Sequence, residues 1–313
     1  MEHGFIKVAA VTPSGKVADT VYNRQQIISG MEEAFLKGAK IIVFPELCIS
    51  GYTCEDLFFQ EKLLSSCMEQ LHLIVSHTKG RDALLFVGLP LEYGGKLYNV
   101  AAAICNGRLL AFIPKMNIPS YGEFYETRHF YPGKGLVGSI SFDGETVPVG
   151  SDILFKAEGM EGLVVGCEIC EDIWVPDSPG ISHAMAGADV IVNLSASSET
   201  IGKDGYRRML VEAASAKLIC GYVYCSAGEG ESTQDLVFGG HNIIAENGTV
   251  LGEARRFTNE TIYGDIDIDR LRMERRRMNT FEVKENAPYL WIPFTLKREE
   301  TVLERSFPAL PFV

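Results

Sequence analysis

Three short blocks place a reactive side chain directly after an apolar run. Ile41 to Phe44 leads through Pro45 to Glu46, Ile113-Pro114 leads to Lys115, and Gly166-Cys167-Glu168-Ile169-Cys170-Glu171-Asp172 delivers a thiol into an acidic turn. Apolar flanks around Glu46 would raise its pKa and suit it to proton transfer, although an acid there serves equally as a helix cap or surface group. A lysine at a strand end most often faces water. The Cys170 thiol, with an ordinary pKa near ~8.5, needs a base or a cation to form its thiolate. Glu46 and Lys115 are one of each, so the trio has the parts for nucleophilic catalysis by Cys170.

Other chemistries fit less well. Cys167 and Cys170 have C-x-x-C spacing, but a zinc ribbon needs a second ligand pair, Cys48 and Cys54 have the wrong spacing, and the histidines are scattered, so no metal is expected. A thioredoxin-like pair is disfavoured because acids flank the second cysteine. Neither G-x-G-x-x-G after a strand nor G-x-x-x-x-G-K-[ST] occurs, so nucleotide phosphates have no recognisable cradle. Arg270, Arg272, Arg275, Arg276 and Arg277 form a basic helix face that would suit an acidic or phosphate-bearing partner; a solvated face on an acidic protein is the favoured reading.

Positioning those groups calls for alternating strands and helices. Ile6 to Val11 reads as a strand, and Ile27, Ile28, Met31, Ala34 and Phe35 recur at helical spacing before Gly38 stops the helix. A helix over about Leu63 to His77 and an apolar run Leu84 to Val87 complete a β-α-β-α-β opening. Asn106-Gly107 joins Val100–Cys105 to Leu109–Ile113 as a type I′ hairpin, because both turn residues tolerate positive φ. The second half repeats the scheme: strands at Leu163–Gly166, Val190–Leu194 and Tyr222–Cys225, helices from near Pro179 and over Gly205–Lys217, and a hairpin at Asn247-Gly248. Two such halves predict an α/β fold, a four-layer α-β-β-α sandwich. Residues 1–290 form the expected domain. After Ile268 a polar helix begins, and residues 291–313 read as an irregular, linker-like tail.

At 313 residues with 46 % hydrophobic content the chain can bury a substantial core. A formal charge of −12 argues against nucleic acid as a partner. No secretory signal and no apolar run of about 18 residues are found, so no membrane association is expected and the location is expected to be cytoplasmic. In that compartment the eight cysteines are expected to be reduced thiols.

The order acid, lysine, cysteine resembles the triad of the nitrilase superfamily, whose carbon-nitrogen hydrolase fold is this same sandwich. Within it the chain is similar to the glutaminase (amidotransferase) domains of glutamine-dependent NAD+ synthetases. The likeness rests on Phe44-Pro45-Glu46-Leu47 with Ser50-Gly51-Tyr52, on Pro114-Lys115 with Tyr121 and Glu123-Phe124-Tyr125-Glu126, and on Glu168-Ile169-Cys170-Glu171-Asp172. It extends through Asn193–Gly202 and the closing Phe307–Val313. Gly122, Cys167 and Lys203 depart from that family's usual arginine, aliphatic and arginine.

The resemblance implies that Cys170 attacks the side-chain amide of glutamine, Glu46 moves the protons, and Lys115 with the backbone N–H of Glu171 holds the oxyanion. It adds Glu126 as a supporting carboxylate, and Tyr121, Glu171, Trp174, Ser197 and Lys203 as contacts to glutamine. It implies no cofactor for this domain; ATP, Mg and deamido-NAD would belong to a synthetase domain in cis, whose Ser-Gly-Gly-x-Asp-Ser loop does not occur in this sequence. Homo-oligomers are also implied. Two alternatives remain: a free-standing nitrilase-type amidase or carbamoylase, and a non-catalytic or thiol-redox binding protein in which Cys167 and Cys170 matter equally.

Overall fold

The computed structural model describes residues 3–160, 162–284, 286–297, 299–307 and 310. Of the expected linker-like end, Pro308, Ala309, Pro311, Phe312 and Val313 lie outside the described residues.

Among the described residues, fifteen strands build two mixed sheets. The first contains β1 (Phe5–Ala10), β2 (Ile41–Val43), β3 (Leu84–Tyr93), β4 (Lys96–Cys105), β5 (Arg108–Pro114), β6 (Val137–Phe142), β7 (Glu145–Gly150) and β14 (Ile262–Asp267), in the order β14-β1-β2-β3-β4-β5-β7-β6. The second contains β8 (Ile153–Glu158), β9 (Val164–Ile169), β10 (Val190–Ser195), β11 (Gly221–Ser226), β12 (Ile243–Glu246), β13 (Thr249–Glu253) and β15 (Leu290–Thr295), in the order β13-β12-β11-β10-β9-β8-β15. The helices are α1 (Thr20–Leu36), α2 (Glu61–His77), α3 (Pro179–Met185), α4 (Lys203–Leu218) and α5 (Ile268–Arg277).

Strand alternation sorts the side chains into three apolar layers. Ala9, Ile42 and Leu85 face α1 and α2, meeting Ile27, Met31, Leu71 and Ile74. Their neighbours Val8, Ile41, Val43 and Phe86 face the opposite way and pack against Phe155, Val165, Val192 and Val223 of the second sheet. On that sheet's far side, Leu154, Ile191, Tyr222 and Tyr224 meet Ala184 of α3 and Val211 of α4. Helix, sheet, sheet, helix is the four-layer sandwich expected from the sequence.

Local chemistry sets several boundaries. Asp19 caps α1 by accepting the Tyr22 N–H at 3.0 Å, a contact typically worth about 1 kcal/mol. Asn106 (φ +48°) and Gly107 (φ +77°), like Asn247 (φ +44°) and Gly248 (φ +82°), adopt the positive φ values of the expected hairpin turns.

Two regions depart from the sequence reading. Residues 137–158, given no structure there, form β6, β7 and β8; β6 alternates exposed and half-buried residues, too polar a pattern to stand out. The segment from 291 onward, expected to be an irregular tail beyond the domain, begins inside β15, which pairs in parallel with β8 from Leu290↔Ile153 to Thr295↔Glu158. As an edge strand, β15 tolerates Pro293, the residue that disguised it. Beyond it, Thr301 Oγ1 donates to Phe5 O, Lys7 Nζ donates to Glu304 and Arg305 donates to Glu246 and to Asp265 O, so residues 301–305 lie along β1 and β14.

Candidate active site

The reactive residues all stand at C-terminal ends of strands, where an α/β sheet leaves its connecting loops open. Glu46 follows β2 on a tight turn with Leu47 at φ +52°. That turn crosses β3 at Gly88, where a Cβ would fall 2.3 Å from Leu47 N and 2.6 Å from Pro45 O, so only glycine admits it. Lys115 follows β5, its N–H bonded to Asn99 O of the adjacent β4 at 2.8 Å. Cys170 follows β9 at φ +44°, a left-handed backbone that costs a non-glycine residue roughly 1–2 kcal/mol and throws the side chain out of the sheet.

The charged groups form one buried cluster. Lys115 Nζ donates to Glu46 Oε1 at 2.7 Å and to Glu126 Oε1 and Oε2 at 2.7 and 2.8 Å. Glu46 Oε1 also accepts from Asn99 Nδ2 at 2.6 Å, and its Oε2 accepts the Ala196 N–H at 2.8 Å. Tyr52 Oη donates to Glu126 Oε1 at 2.7 Å. Both carboxylates are thus met by several donors.

Electrostatics then follow from burial and sign. Burial drags the Lys115 ammonium down, but Glu126 and Glu46 outweigh it and hold its pKa well above the usual lysine value. Burial pushes Glu126 up to about 7, with the Lys115 charge opposing and the Glu46 charge adding. For Cys170, burial comes first and the Glu46 carboxylate second, both raising the thiol, while Lys115 opposes them. The Cys170 side chain is therefore held as a thiol next to the Glu46 carboxyl group.

Cys170 opens into a cavity of about 440 Å³. Tyr121, Glu171, Trp174, Ser197 and Lys203, the five contacts named from the sequence, all line it. Tyr121 Oη donates to Glu171 Oε1 at 2.9 Å, and Lys203 Nζ donates to Ser198 Oγ at 2.8 Å while lying 5.3 Å from the centroids of Phe124 and Trp174. Burial lowers the Lys203 pKa and raises that of Glu171, so opposite charges share a partly dry wall. Glu171 is the second residue of the short 3₁₀ turn Cys170–Ile173, so its N–H has no partner within that turn.

Cys167 and Cys170 are placed in different environments despite their spacing. Cys167 is buried between the sheets, on the opposite face of β9 from Glu168, and burial holds its thiol well above the ordinary value.

Several residues that build the site were not identified from sequence. Asn99 and the Ala196 amide hold Glu46; neither carries a sequence signal, because strand asparagines and backbone amides look alike everywhere. Asp172 accepts from the Ile169, Met116 and Asn117 backbones, tying the Lys115 loop to the nucleophile turn. Arg207, buried in α4, donates to Ser197 Oγ, Ser198 O and Glu199 and so fixes the loop that carries Ala196. Its position inside an otherwise polar helix hid it. Glu123, Phe124, Thr200 and Tyr206 also line the cavity.

The pattern described for carbon-nitrogen hydrolases matches residues 7–276, and the chain belongs to that family. Among curated proteins it is similar to the glutamine-dependent NAD(+) synthetase of Mycobacterium tuberculosis, 41 % identical over 283 residues that make up 90 % of this chain and 42 % of that protein. The Aquifex aeolicus protein of the same name is 30 % identical over 83 % of this chain and 42 % of its own length. The chain thus spans less than half the length of these relatives. Among solved structures, the glutamine-dependent NAD(+) synthetase of Cytophaga hutchinsonii superposes with a TM-score of 0.75 at 29 % identity, covering 84 % of this chain and 43 % of that one. An amidase from Nesterenkonia sp. shares the fold over 89 % of this chain and 96 % of its own, with a TM-score of 0.67 at 19 % identity.

Proposed function

We propose that this chain hydrolyses the side-chain amide of L-glutamine to glutamate and ammonia, with Cys170 as nucleophile. The observation that carries the reading is the buried Glu46–Lys115–Glu126 cluster beside a thiol that opens into a cavity lined by both Glu171 and Lys203. Glu171, with Glu123 nearby, suits an α-ammonium and Lys203 suits an α-carboxylate, a pairing that selects a free amino acid over a simple amide.

In the first half-reaction Glu46 accepts the thiol proton as sulfur bonds to the amide carbon. The oxyanion is met by Lys115 Nζ and the Glu171 N–H; a donor of this kind is typically worth about 10²–10³ in rate. Collapse breaks the C–N bond, and Glu46 returns the proton to the leaving nitrogen, releasing ammonia and a γ-glutamyl thioester. Water then attacks the thioester, Glu46 takes its proton, and the departing sulfur is reprotonated. Lys115 stays charged throughout, and Glu126 with Tyr52 keeps it in place.

The relatives' names and greater length support a wider role: a synthetase domain in cis that uses this ammonia to convert deamido-NAD+ to NAD+ with ATP and Mg. Among the described residues no helix is long and apolar enough to cross a membrane. We place the protein in the cytoplasm, as a homo-oligomer.

Ammonia release from glutamine, from other ω-amides and from N-carbamoyl compounds tests the substrate. The expected outcome is turnover of glutamine above the others; indifference to glutamine would instead favour a free-standing amidase or carbamoylase.

A further inference from the structure

Behind Cys170, in the layer between the second sheet and its helices, three polar side chains sit among apolar ones. Glu168 on β9, Asn193 on β10 and Tyr222 on β11 are 2 %, 0 % and 0 % exposed. Glu168 and Asn193 are cross-strand neighbours in the parallel β9–β10 ladder. Glu168 also accepts the Gly180 N–H at 2.6 Å, where a side chain on residue 180 would crowd the carboxylate. An apolar trio of similar volume would be less costly to bury than these groups.

Their bonds run in one direction. The Tyr222 hydroxyl donates to Glu168 Oε1. Asn193 Nδ2 faces two acceptors, Glu168 Oε1 at 3.4 Å and Tyr222 Oη at 3.3 Å. Asn193 Oδ1 therefore points the other way, where it accepts the Cys170 N–H at 3.2 Å and Ser195 Oγ–H at 2.7 Å. Rotating the amide would set Nδ2 against two donors and Oδ1 against the Glu168 oxygen that already accepts from Tyr222, so Glu168 and Tyr222 fix which end of Asn193 meets Cys170.

The geometry points to Glu168, Tyr222 and Asn193 as a positioning chain that holds Cys170 in its left-handed backbone conformation by anchoring its N–H, and with it the orientation of the neighbouring Glu171 N–H. The role rests on Cys170 being the nucleophile proposed above. None of the three residues lines the substrate cavity or touches the reacting atoms. Release of the anchor lets the turn relax toward an ordinary φ, moving sulfur away from Glu46; a displacement of about 1 Å at a reacting atom typically costs ~10²-fold in rate.

The test is a mutant cycle read in two assays on the same protein. One is steady-state ammonia release from glutamine; the other is the rate at which iodoacetamide alkylates Cys170, followed by mass spectrometry. In the alkylation the Cys170 sulfur bonds to the methylene carbon and iodide leaves, so this readout does not depend on which amide is the natural substrate. Asn193→Ala is expected to lower kcat by about 10²-fold and to slow alkylation, with KM within ~3-fold of wild type. Glu168→Gln should show the same pattern at roughly 30-fold, and the double variant should lose no more than Asn193→Ala alone, because Glu168 acts through Asn193.

Losses that multiply in the double variant, or a loss confined to KM, would overturn the proposal. Tyr222→Phe, which removes one oxygen, covers the case of misfolding: about a 5-fold fall in both rates is expected, and wild-type rates in the folded variant would contradict the chain. If the wild type releases no ammonia from glutamine, the substrate assignment fails, while the alkylation rates still decide the positioning role.

Discussion

The two ends of the cavity are built differently. Its floor is Cys170, backed by Lys115, Glu46 and Glu126, which are at most 5 % exposed and whose two carboxylates also accept from Asn99, Ala196 and Tyr52. At its mouth, Tyr121 is 58 % exposed and bonds to a half-buried Glu171. A floor held by reciprocal charge-assisted bonds keeps its geometry with or without substrate, whereas the mouth has side chains free to close on one. Chemistry is therefore assigned to the rigid end and selection to the adjustable one.

The sharpest way to break this division is at the nucleophile. Cys170→Ala is expected to abolish ammonia release, at least ~10⁴-fold, because no other group in the cavity can form the thioester. Cys167→Ala should keep most activity, since its thiol faces the core between the sheets; equal losses in an ammonia assay would restore the thiol-redox reading.

Removing the floor's cation comes next. Lys115→Met leaves two buried carboxylates facing each other, and should cost both about 3–5 kcal/mol in a denaturant titration and roughly 10³-fold in kcat. A folded variant of wild-type stability would show that the cluster is not held by that ammonium.

The mouth should respond in KM. Lys203→Ala or Tyr121→Phe is expected to raise KM for glutamine about 10-fold with kcat nearly unchanged, since these groups contact substrate atoms that do not react. A fall in kcat at constant KM would move those residues to the chemical step.

The smallest effect concerns pH. Burial and the neighbouring Asp172 push Glu168 up from 4.5 to about 7. A carboxyl raised on folding contributes stability that is complete below its unfolded value and is lost as pH rises through the folded one. The stability difference between wild type and Glu168→Gln should therefore shift against the wild type between about pH 4.5 and 7. Parallel curves of thermal midpoint against pH for the two proteins would contradict the shift.

The rigid end was largely legible in the sequence. Glu46, Lys115 and Cys170 each follow an apolar strand, so period and strand end made them candidates, while resemblance joined them as a triad and added Glu126. Two Asn-Gly turns fixed the hairpins because the dipeptide's φ preference is local. What escaped notice is determined by tertiary contact: Asn99 and Arg207 matter for the loops they face, and β15 is a strand only because β8 supplies a partner. The mouth residues Tyr121, Glu171, Trp174, Ser197 and Lys203 came from resemblance, since exposed loop side chains carry no periodic signal. Glu168 and Asn193 entered the sequence reading only as members of longer blocks, and their contact is visible only once β9 and β10 lie side by side.

The most direct measurement is mass spectrometry after exposure of the protein to a diazo-ketone analogue of glutamine, which alkylates the attacking nucleophile in place. The account predicts a single adduct on Cys170, prevented by excess glutamine. An adduct on Cys167 or any other residue, or labelling of Cys170 that glutamine does not slow, would contradict it.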